Sequence, residues 1–401
     1  MGFDAAGPDP APALTAPIYS GKFIFLLAAI FLAYANISVF FQFYGYLKTL
    51  PIAPEWYGLL IGAFSAVSLL VRPLVSPFCH AGNARRFLWI GTAAAICALA
   101  AYSLAESFWS LLAVRLFHGL AFVVLGTALM TLAVGYIPKD HSAQFFGMLA
   151  IVILIPNTII PPFLPLLLDV FGGFPRVLLF FSAVIVLIFP LVSRAGNPDQ
   201  FLAGQPEARR LSWADVLEDL KNPSVYQLLF AMLLLYSGYG LVFFFLDGYG
   251  RSLGIGHTGV FLTLATVGEI SVRLAGGSFF DRIEKTRLLA GTLVGLACGY
   301  LLLARVPGET VFFCLGAVLG LGWGIAMPVF NGLMFDVSQP RFQAFNTNLG
   351  MQMFQGGFFI GPFAGGAVVA RWGFSPLFFM CAVLSLLAAG LVLAMGRKRQ
   401  G

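Results

Sequence analysis

Charged residues are scarce in this sequence. Only 10% of the 401 residues are Asp, Glu, Lys or Arg, whereas a soluble globular protein carries about 25%. The scarcity excludes a water-facing surface of ordinary size, and it also excludes a disordered chain, which depends on high charge. Apolar side chains are abundant instead, at 59% of the chain. Twelve membrane helices of about 20 residues would need about 240 residues, which is close to 59% of 401 residues. The composition therefore predicts a helical membrane protein.

Sequence patterns of enzyme chemistry are also missing. There is no HExxH, GxSxG or P-loop, and the basic stretches are short and flank apolar segments. The five cysteines contain no CxxC pair, and the four histidines have no metal-ligand spacing. We therefore expect no enzyme, no metal or other cofactor, and no nucleic-acid partner.

Apolar runs of membrane-spanning length recur along the chain. They predict an all-α membrane protein of twelve transmembrane helices. The predicted spans are 23–46, 56–79, 87–105, 108–136, 144–169, 175–193, 225–247, 258–280, 287–304, 310–336, 346–370 and 375–396.

Three segments lie outside these runs. Residues 1–22 have no Lys or Arg before Lys22 and no apolar stretch, so we expect a tail rather than a signal peptide. Residues 397–401 form a short basic tail. In the linker 194–224, Trp213, Val216, Leu217 and Leu220 recur at helical spacing, which predicts a short amphipathic helix on the membrane surface.

The positions of Lys and Arg predict the orientation. Fifteen of the 23 lie on the side that holds both termini, five lie on the opposite side, and three lie inside spans. Because basic loops stay on the cytoplasmic side, we expect a multi-pass protein of the cell inner membrane with both termini in the cytoplasm.

The two halves of the sequence resemble each other. Gly58 matches Gly259, and the pair Val71-Arg72 matches Val272-Arg273, at a common offset of 201 positions. Paired arginines inside membrane spans are rare enough to make the match informative. We therefore predict two six-helix bundles, 23–193 and 225–396, with a site between them, as in transporters built by duplication.

One loop motif resembles the major facilitator superfamily, and the resemblance to bacterial efflux-type permeases extends over essentially the whole chain. The loop after span 2 begins with Arg72-Pro73 and ends with Arg85 and Arg86, as in that family. Four positions depart from the family pattern: Ser76, His80, Ala81 and Asn83. The second copy retains Asp281 and Arg282. The resemblance implies a gate formed by Arg85, Arg86, Asp281 and Arg282, with control by the first-half loop in doubt.

Two further motifs support the resemblance. Arg115-Leu116-Phe117-His118-Gly119 is similar to the family pattern Arg-x-x-Gln-Gly, in which the arginine is linked to proton coupling. An arginine about 10 Å inside a helix must face a polar partner or snorkel to the interface. The run 361–366, Gly-Pro-x-x-Gly-Gly, resembles the antiporter motif of the family, although such residues are ordinary in membrane helices.

Glu269 and Arg273 form the strongest chemical feature. They lie one turn apart in span 8, so that both side chains share a face near the membrane midplane. A carboxylate there is either ionised beside Arg273 or protonated alone, and switching between these conditions is what proton coupling needs. A permanent ion pair that only fixes helix packing is the alternative. With Arg115 assisting, the predicted proton-coupling residues are Glu269, Arg273 and Arg115.

Other polar residues at mid-span are candidates for contact with a solute, and each is equally compatible with a hydrogen bond between helices. They are Asn36, Arg72, His118, Asn157, Tyr236, Tyr239, Asn331, Gln352 and Gln355.

Three functions remain open. The first is proton-coupled efflux of an amphiphilic compound or metabolite by alternating access. The second is proton-coupled uptake of a small organic anion, because three arginines inside the membrane outnumber the single midplane acid. The third is a receptor or sensor on the same fold that moves no solute. In each case we expect a monomer in the lipid bilayer whose partners are a small molecule and, for transport, protons.

Overall fold

The computed structural model describes residues 21–80, 82–136, 142–196, 221–280, 283–339 and 342–400. Within these ranges the regular structure is entirely helical. Twelve long helices follow one another with short connections. They are α1 Gly21–Leu47, α2 Pro54–Val75, α3 Ala84–Leu104, α4 Phe108–Val134, α5 Ser142–Phe171, α6 Phe174–Ala195, α7 Pro223–Ser252, α8 Gly259–Phe280, α9 Lys285–Leu303, α10 Glu309–Val337, α11 Gln343–Trp372 and α12 Phe374–Gln400.

The predicted fold class, an all-α membrane protein, is confirmed. In the described part of the chain, eleven helices are long and apolar enough to cross a membrane. The remaining helix is α8, which carries Glu269 and Arg273 and packs between α5 and α10. The predicted amphipathic helix near Trp213 and residues 1–20 of the predicted tail 1–22 lie outside the described residues, while Gly21 and Lys22 begin α1. The exact boundaries of the two halves stay a prediction.

Two helices are locally irregular. α1 passes through a 3-10 segment at Val39–Gln42 before it ends, and α6 is interrupted between Ile185 and Ile188. Successive helices alternate in direction. We call the end where α1 finishes and α2 begins the distal end, and the end where α2 finishes and α3 begins the proximal end.

The helix contacts repeat from one half to the other. In the first half α2 packs on α4, α3 on α4 and α1 on α5; in the second half α8 packs on α10, α9 on α10 and α7 on α11. Between the halves α2 packs on α11 and α5 on α8, which are the same contact once each helix is replaced by its counterpart six places along. The repeat seen in the sequence is therefore also a repeat of the packing.

Glycines allow these two contacts between the halves to be very close. A Cβ atom on Gly58 of α2 would collide with the carbonyl oxygen of Pro362 in α11 and lie 2.9 Å from that of Phe363. A Cβ atom on Gly259 of α8 would lie 2.5 Å from the carbonyl oxygen of Pro161 in α5. The matched glycines thus meet a proline-containing turn of the opposite half, and both contacts lie toward the distal end.

A hydrogen bond reinforces the α5–α8 contact. Pro162 has no N–H group, so the carbonyl of Thr158, four residues earlier, loses its helical partner. The hydroxyl of Thr263 in α8 donates to that carbonyl oxygen at 2.8 Å. In a membrane interior, a backbone group left free by proline needs such a partner. The proline in α5 thereby creates a specific link between the halves.

Candidate functional site

A line of glycines in α10 brings that helix against α8 at Glu269. Cβ atoms on Gly316, Gly320 and Gly324 would press on the backbone at Phe261, Ala265 and Glu269 respectively. The three glycines are spaced four residues apart, and so are the three residues that they meet. One face of α10 therefore lies along one face of α8. At Gly324 an added Cβ would lie only 2.9 Å from the Glu269 Cα atom. The position of Glu269 is consequently set by backbone packing.

The Glu269 carboxylate is fully buried and has two partners. Its exposed fraction is 0%. The Tyr239 hydroxyl of α7 donates to Oε1 at 3.3 Å, and Nη2 of Arg273 lies 3.3 Å from Oε2. The same Arg273 nitrogen lies 3.5 Å from the Met327 sulfur of α10. The expected pairing of Glu269 with Arg273 is present, and Tyr239 joins it from another helix.

Aromatic side chains fix the Tyr239 ring. It meets the ring of Trp323 edge to face, with centroids 4.5 Å apart. The Trp323 indole N–H donates to the Tyr300 hydroxyl at 3.0 Å. Because Trp323 is also buried, the Tyr239 hydroxyl is held in position toward Glu269. The Glu269 carboxyl group thus lies between one neutral donor, Tyr239, and one cation, Arg273. In this arrangement the carboxyl group can hold or release a proton.

The other second-half candidates lie on α7, α10 and α11. Tyr236 is buried and packs on the ring of Phe354 at 5.2 Å. Gln352 is buried with no partner for its Oε1 atom among the described residues. Gln355 and Asn331 are half-buried. Tyr236, like Tyr239, packs on Phe354, so these two candidates are brought together.

Arg115 lies in a different environment, inside the first half. Its Nε donates to the Leu60 carbonyl at 2.9 Å and its Nη2 to that of Ile61 at 2.6 Å. Its guanidinium carbon lies 4.7 Å from the centre of the Phe43 ring, and it is 2% exposed. The partners that surround it belong to α1, α2 and α3, so α4 is tied to its neighbours at this point. The structure does not bring Arg115 to the Glu269 pair.

His118 lies beside Arg115. It is fully buried, its Nδ1 lies 3.3 Å from the Tyr102 hydroxyl, and its Nε2 has no hydrogen-bond partner in the described part of the chain. The Tyr102 hydroxyl also accepts from Arg115 at 3.5 Å. Tyr102 therefore connects the two motif residues, and sequence reasoning missed it because it comes from α3.

The remaining first-half candidates are separate from that cluster. Asn157 of α5 accepts a 2.6 Å hydrogen bond from the Ser38 hydroxyl of α1, so it joins two helices. Asn36 is fully buried, and its Oδ1 atom has no partner among the described residues. Arg72 is half-buried on α2 and approaches α4 at Gly126.

The predicted gate is only partly described. Arg85 donates from Nη2 to the Val192 carbonyl at 3.1 Å, which ties the start of α3 to the end of α6. Arg86 is exposed. Asp281 and Arg282 lie outside the described residues, so the gate itself stays a prediction.

Two further polar residues were missed by the sequence reasoning. Asp247, near the distal end of α7, is 1% exposed and accepts from Thr258 at 2.5 Å and from Arg251 at 3.0 Å. Its i, i+4 spacing to Arg251 is the same as that of Glu269 to Arg273 and was the available signal. Gln42 is buried at the end of the 3-10 segment, with neither amide atom paired among the described residues.

Twelve helices in two halves with repeated packing, and a buried acid on a helix that packs against the opposite half, define a polytopic membrane protein built by parallel duplication. The chain belongs to the Major Facilitator Superfamily, whose family model matches residues 25–362. The resemblance inferred from the motifs is thereby confirmed.

Curated relatives match part of the chain. YqgE of Bacillus subtilis, an uncharacterized protein, is 32% identical over 35% of this chain and 33% of its own length. The quinolone resistance protein NorA of Staphylococcus aureus is 25% identical over 42% of this chain and 43% of its own length. Less than half of either relative is therefore matched.

Solved structures match nearly the whole chain. A bacterial homologue of the human lysosomal transporter Spinster, in an inward-facing and unoccupied conformation, superimposes with a TM-score of 0.76 at 13% identity. That match covers 96% of this chain and 98% of the other. The nucleoside transporter NupG gives 0.79 at 14% identity, over 93% of this chain and 99% of its own. At such low identity, the likeness concerns the fold alone.

Proposed function

We propose that this protein is a secondary active transporter that moves a small solute by alternating access and couples this movement to protons through Glu269. The supporting observation is the fully buried Glu269 carboxylate, placed between Tyr239 and Arg273 on a helix that packs against the opposite half. The proposed location is the inner membrane, with both termini in the cytoplasm.

The physical reason is that a buried carboxyl group depends strongly on its partners. With Arg273 at 3.3 Å, the negative charge of ionised Glu269 is balanced. Displacement of Arg273 would leave that charge isolated and would favour protonation of Glu269. α8 packs on α5 of the other half, so movement between the halves can alter this pairing. In this proposal Tyr239 positions the carboxyl group, and Arg115 supports α4 without exchanging protons.

Efflux of an amphiphilic compound is the direction and solute class that we favour. The name of NorA links that partial relative to quinolone resistance, and Phe354 and Phe358 lie against Tyr239 as an apolar wall. A second candidate, uptake of a small organic anion, is favoured by Arg72, which has no ion pair among the described residues. The two candidates differ in the direction of the proton gradient that drives accumulation.

The test uses purified protein in liposomes that enclose the pH dye pyranine. Compounds that raise the Tm of the protein are added under an imposed pH gradient, and both solute and proton movement are followed. We expect solute-dependent proton flux in the native protein and its loss in Glu269→Gln, which retains binding. Glu309→Gln is the control, because Glu309 lies exposed at the start of α10.

Two results would contradict the proposal. Unchanged gradient-driven accumulation in Glu269→Gln would remove Glu269 from coupling. Binding without movement of any solute, under gradients of either direction, would favour the receptor or sensor.

A further inference from the structure

Arg72 and Arg273 occupy equivalent positions in the two halves but have different neighbours. The acid Glu269 stands four residues before Arg273, whereas Ser68 stands four residues before Arg72. The second-half arginine is therefore paired within its own helix, at 3.3 Å. The first-half arginine has no such partner, and this difference needs a physical explanation.

The Arg72 side chain is directed into the bundle. Side chains lean toward the N-terminus of their helix, which for α2 is the distal end, so Arg72 leans away from the nearby proximal surface. Its Nη2 atom lies 3.5 Å from the point where a Cβ on Gly126 of α4 would be. Gly126 is eight residues, or about 12 Å, from the end of α4. Arg72 thus reaches toward the middle of the membrane instead of snorkelling outward.

In the described part of the chain, unpaired polar atoms occur one turn before Arg72 on α2 and next to Gly126 on α4. The Arg72 Nε atom, the Ser68 hydroxyl and the Thr127 hydroxyl, next to Gly126, are all buried without a hydrogen-bond partner among the described residues. Ser68 is 0% and Thr127 8% exposed. Tyr34 of α1 is close enough for its hydroxyl to interact electrostatically with Arg72. Helices α1, α2 and α4 therefore approach one another near Arg72.

No described acid of the first half can balance the charge. Those acids are Glu55, Glu106 and Asp169, at the start of α2, in the α3–α4 connection and near the end of α5, all at the distal end. A positive charge within the membrane is costly unless it is paired or hydrated. The position is thus complementary to an anionic group.

We propose that Arg72, with Ser68 and Thr127, binds the carboxylate group of the transported solute. Transport of this solute rests on the function proposed above, whereas the binding of a carboxylate does not. A guanidinium presents two parallel N–H groups that fit the two oxygens of a carboxylate, and the hydroxyls can donate to the remaining lone pairs.

The rest of the solute should be apolar and aromatic. The Tyr34 ring lies edge to face with that of Phe122 at 5.6 Å, and Phe122 lies 5.3 Å from Phe64. A single cation beside such rings suits a monovalent anion on an apolar body. It suits inorganic phosphate less well, because a divalent anion would retain an unbalanced charge.

Binding can be measured without knowledge of the natural solute. The purified protein is placed in nanodiscs of phosphatidylcholine, which contain no anionic lipid headgroup. Benzoate, 3-phenylpropionate and indole-3-acetate are each compared with the corresponding amide, and inorganic phosphate is tested separately, by calorimetry and by shift of Tm. We expect a carboxylate to bind more tightly than its amide, and Arg72→Gln to weaken that binding about tenfold or more.

A second variant tests the comparison between the halves. Ser68→Glu installs the acid that the second half has at this position, so it should pair with Arg72 and abolish the preference for carboxylate over amide. Arg371→Gln, at an exposed arginine at the end of α11, should leave the preference unchanged. Size-exclusion profiles establish that each variant is folded, and Arg72→Lys, which keeps the charge without the fork, should bind with intermediate affinity.

The proposal is overturned if no carboxylate binds more tightly than its amide, if Arg72→Gln retains the preference, or if phosphate binds more tightly than every carboxylate. Selective carboxylate binding without transport would support this site while contradicting the proposed function. Transport without carboxylate preference would support the proposed function while contradicting this site.

Discussion

At the scale of single residues, the arginines of this protein have three different roles. Arg273 pairs with an acid, Arg72 is directed toward Gly126 without an ion pair among the described residues, and Arg115 is held by two backbone carbonyls and aromatic rings. All three looked alike in the sequence as costly charges inside helices. Their partners separate them, because a guanidinium surrounded by carbonyls of a neighbouring helix is part of the packing.

Replacing Arg115 should therefore affect stability first. Arg115→Met removes two charge-assisted hydrogen bonds, which stabilise by about 1.5–3 kcal/mol each when buried. We expect a clearly lower Tm, measured in detergent, and reduced transport in proportion to the folded fraction. The control Arg176→Gln changes an exposed arginine at the start of α6 and should leave Tm within error. An unchanged Tm with lost proton flux would instead make Arg115 a coupling residue.

At the scale of helices, the pair α8 and α10 determines where the buried acid lies. Gly316, Gly320 and Gly324 let the two backbones approach, and Tyr239 on α7 completes the site. Neither the acid nor its arginine creates this geometry. The glycine spacing in α10 does so, because each missing Cβ removes a collision with α8.

Gly324→Ala should consequently disturb the site although it adds only one methyl group. Its Cβ would lie 2.9 Å from the Glu269 Cα atom and 3.1 Å from its carbonyl oxygen, so backbone must move. We expect a loss of about 1–3 kcal/mol in stability and weaker solute-dependent proton flux. Thermal unfolding and the pyranine assay measure the two effects.

The matched control is Gly291→Ala on α9, where an added Cβ meets nothing within 4 Å. Since alanine favours helix over glycine by about 0.8–1.0 kcal/mol, this variant should be neutral or slightly more stable. Equal behaviour of the two variants would show that helix propensity, rather than close packing, governs α10.

At the scale of the whole molecule, the two halves meet through two equivalent contacts. Gly58 against Pro362 and Gly259 against Pro161 lie toward the distal end, and the hydroxyl of Thr263 adds a hydrogen bond there. Aromatic contacts such as Tyr44 with Phe245 and Phe374 fill the same region. Opening of the distal end requires these contacts to separate, and their near-symmetry suits a rocking movement.

Substitution of either matched glycine should favour the opened distal end. Gly58→Ala and Gly259→Ala both place a Cβ on opposing backbone, so each should shift the protein toward longer distances across that end. Spin labels at Thr49 and Ser252, both at the distal end, report the distance by pulsed electron paramagnetic resonance. Gly295→Ala, with open space around it, is the control. Identical distance distributions in all four proteins would exclude these contacts as a determinant of the distance between the halves at the distal end.

Much of the architecture was accessible from the sequence. Apolar runs located all twelve helices to within several residues, and the offset of 201 positions indicated two related halves. Glu269 and Arg273 were found together because partners four residues apart on one helix need no knowledge of the fold. Tyr102, Thr263 and the glycine line of α10 were not assigned roles, since their roles depend on neighbouring helices.

The sequence by itself determined that the chain is a duplicated twelve-helix membrane protein, because hydropathy and repeats are local properties of the chain. Only the tertiary structure decided which polar groups meet. It joined Tyr239 to Glu269, enclosed Arg115 among carbonyls, and directed Arg72 toward Gly126 of α4. Helical periodicity gives the face on which a side chain lies, but the packing of helices determines what that face contacts.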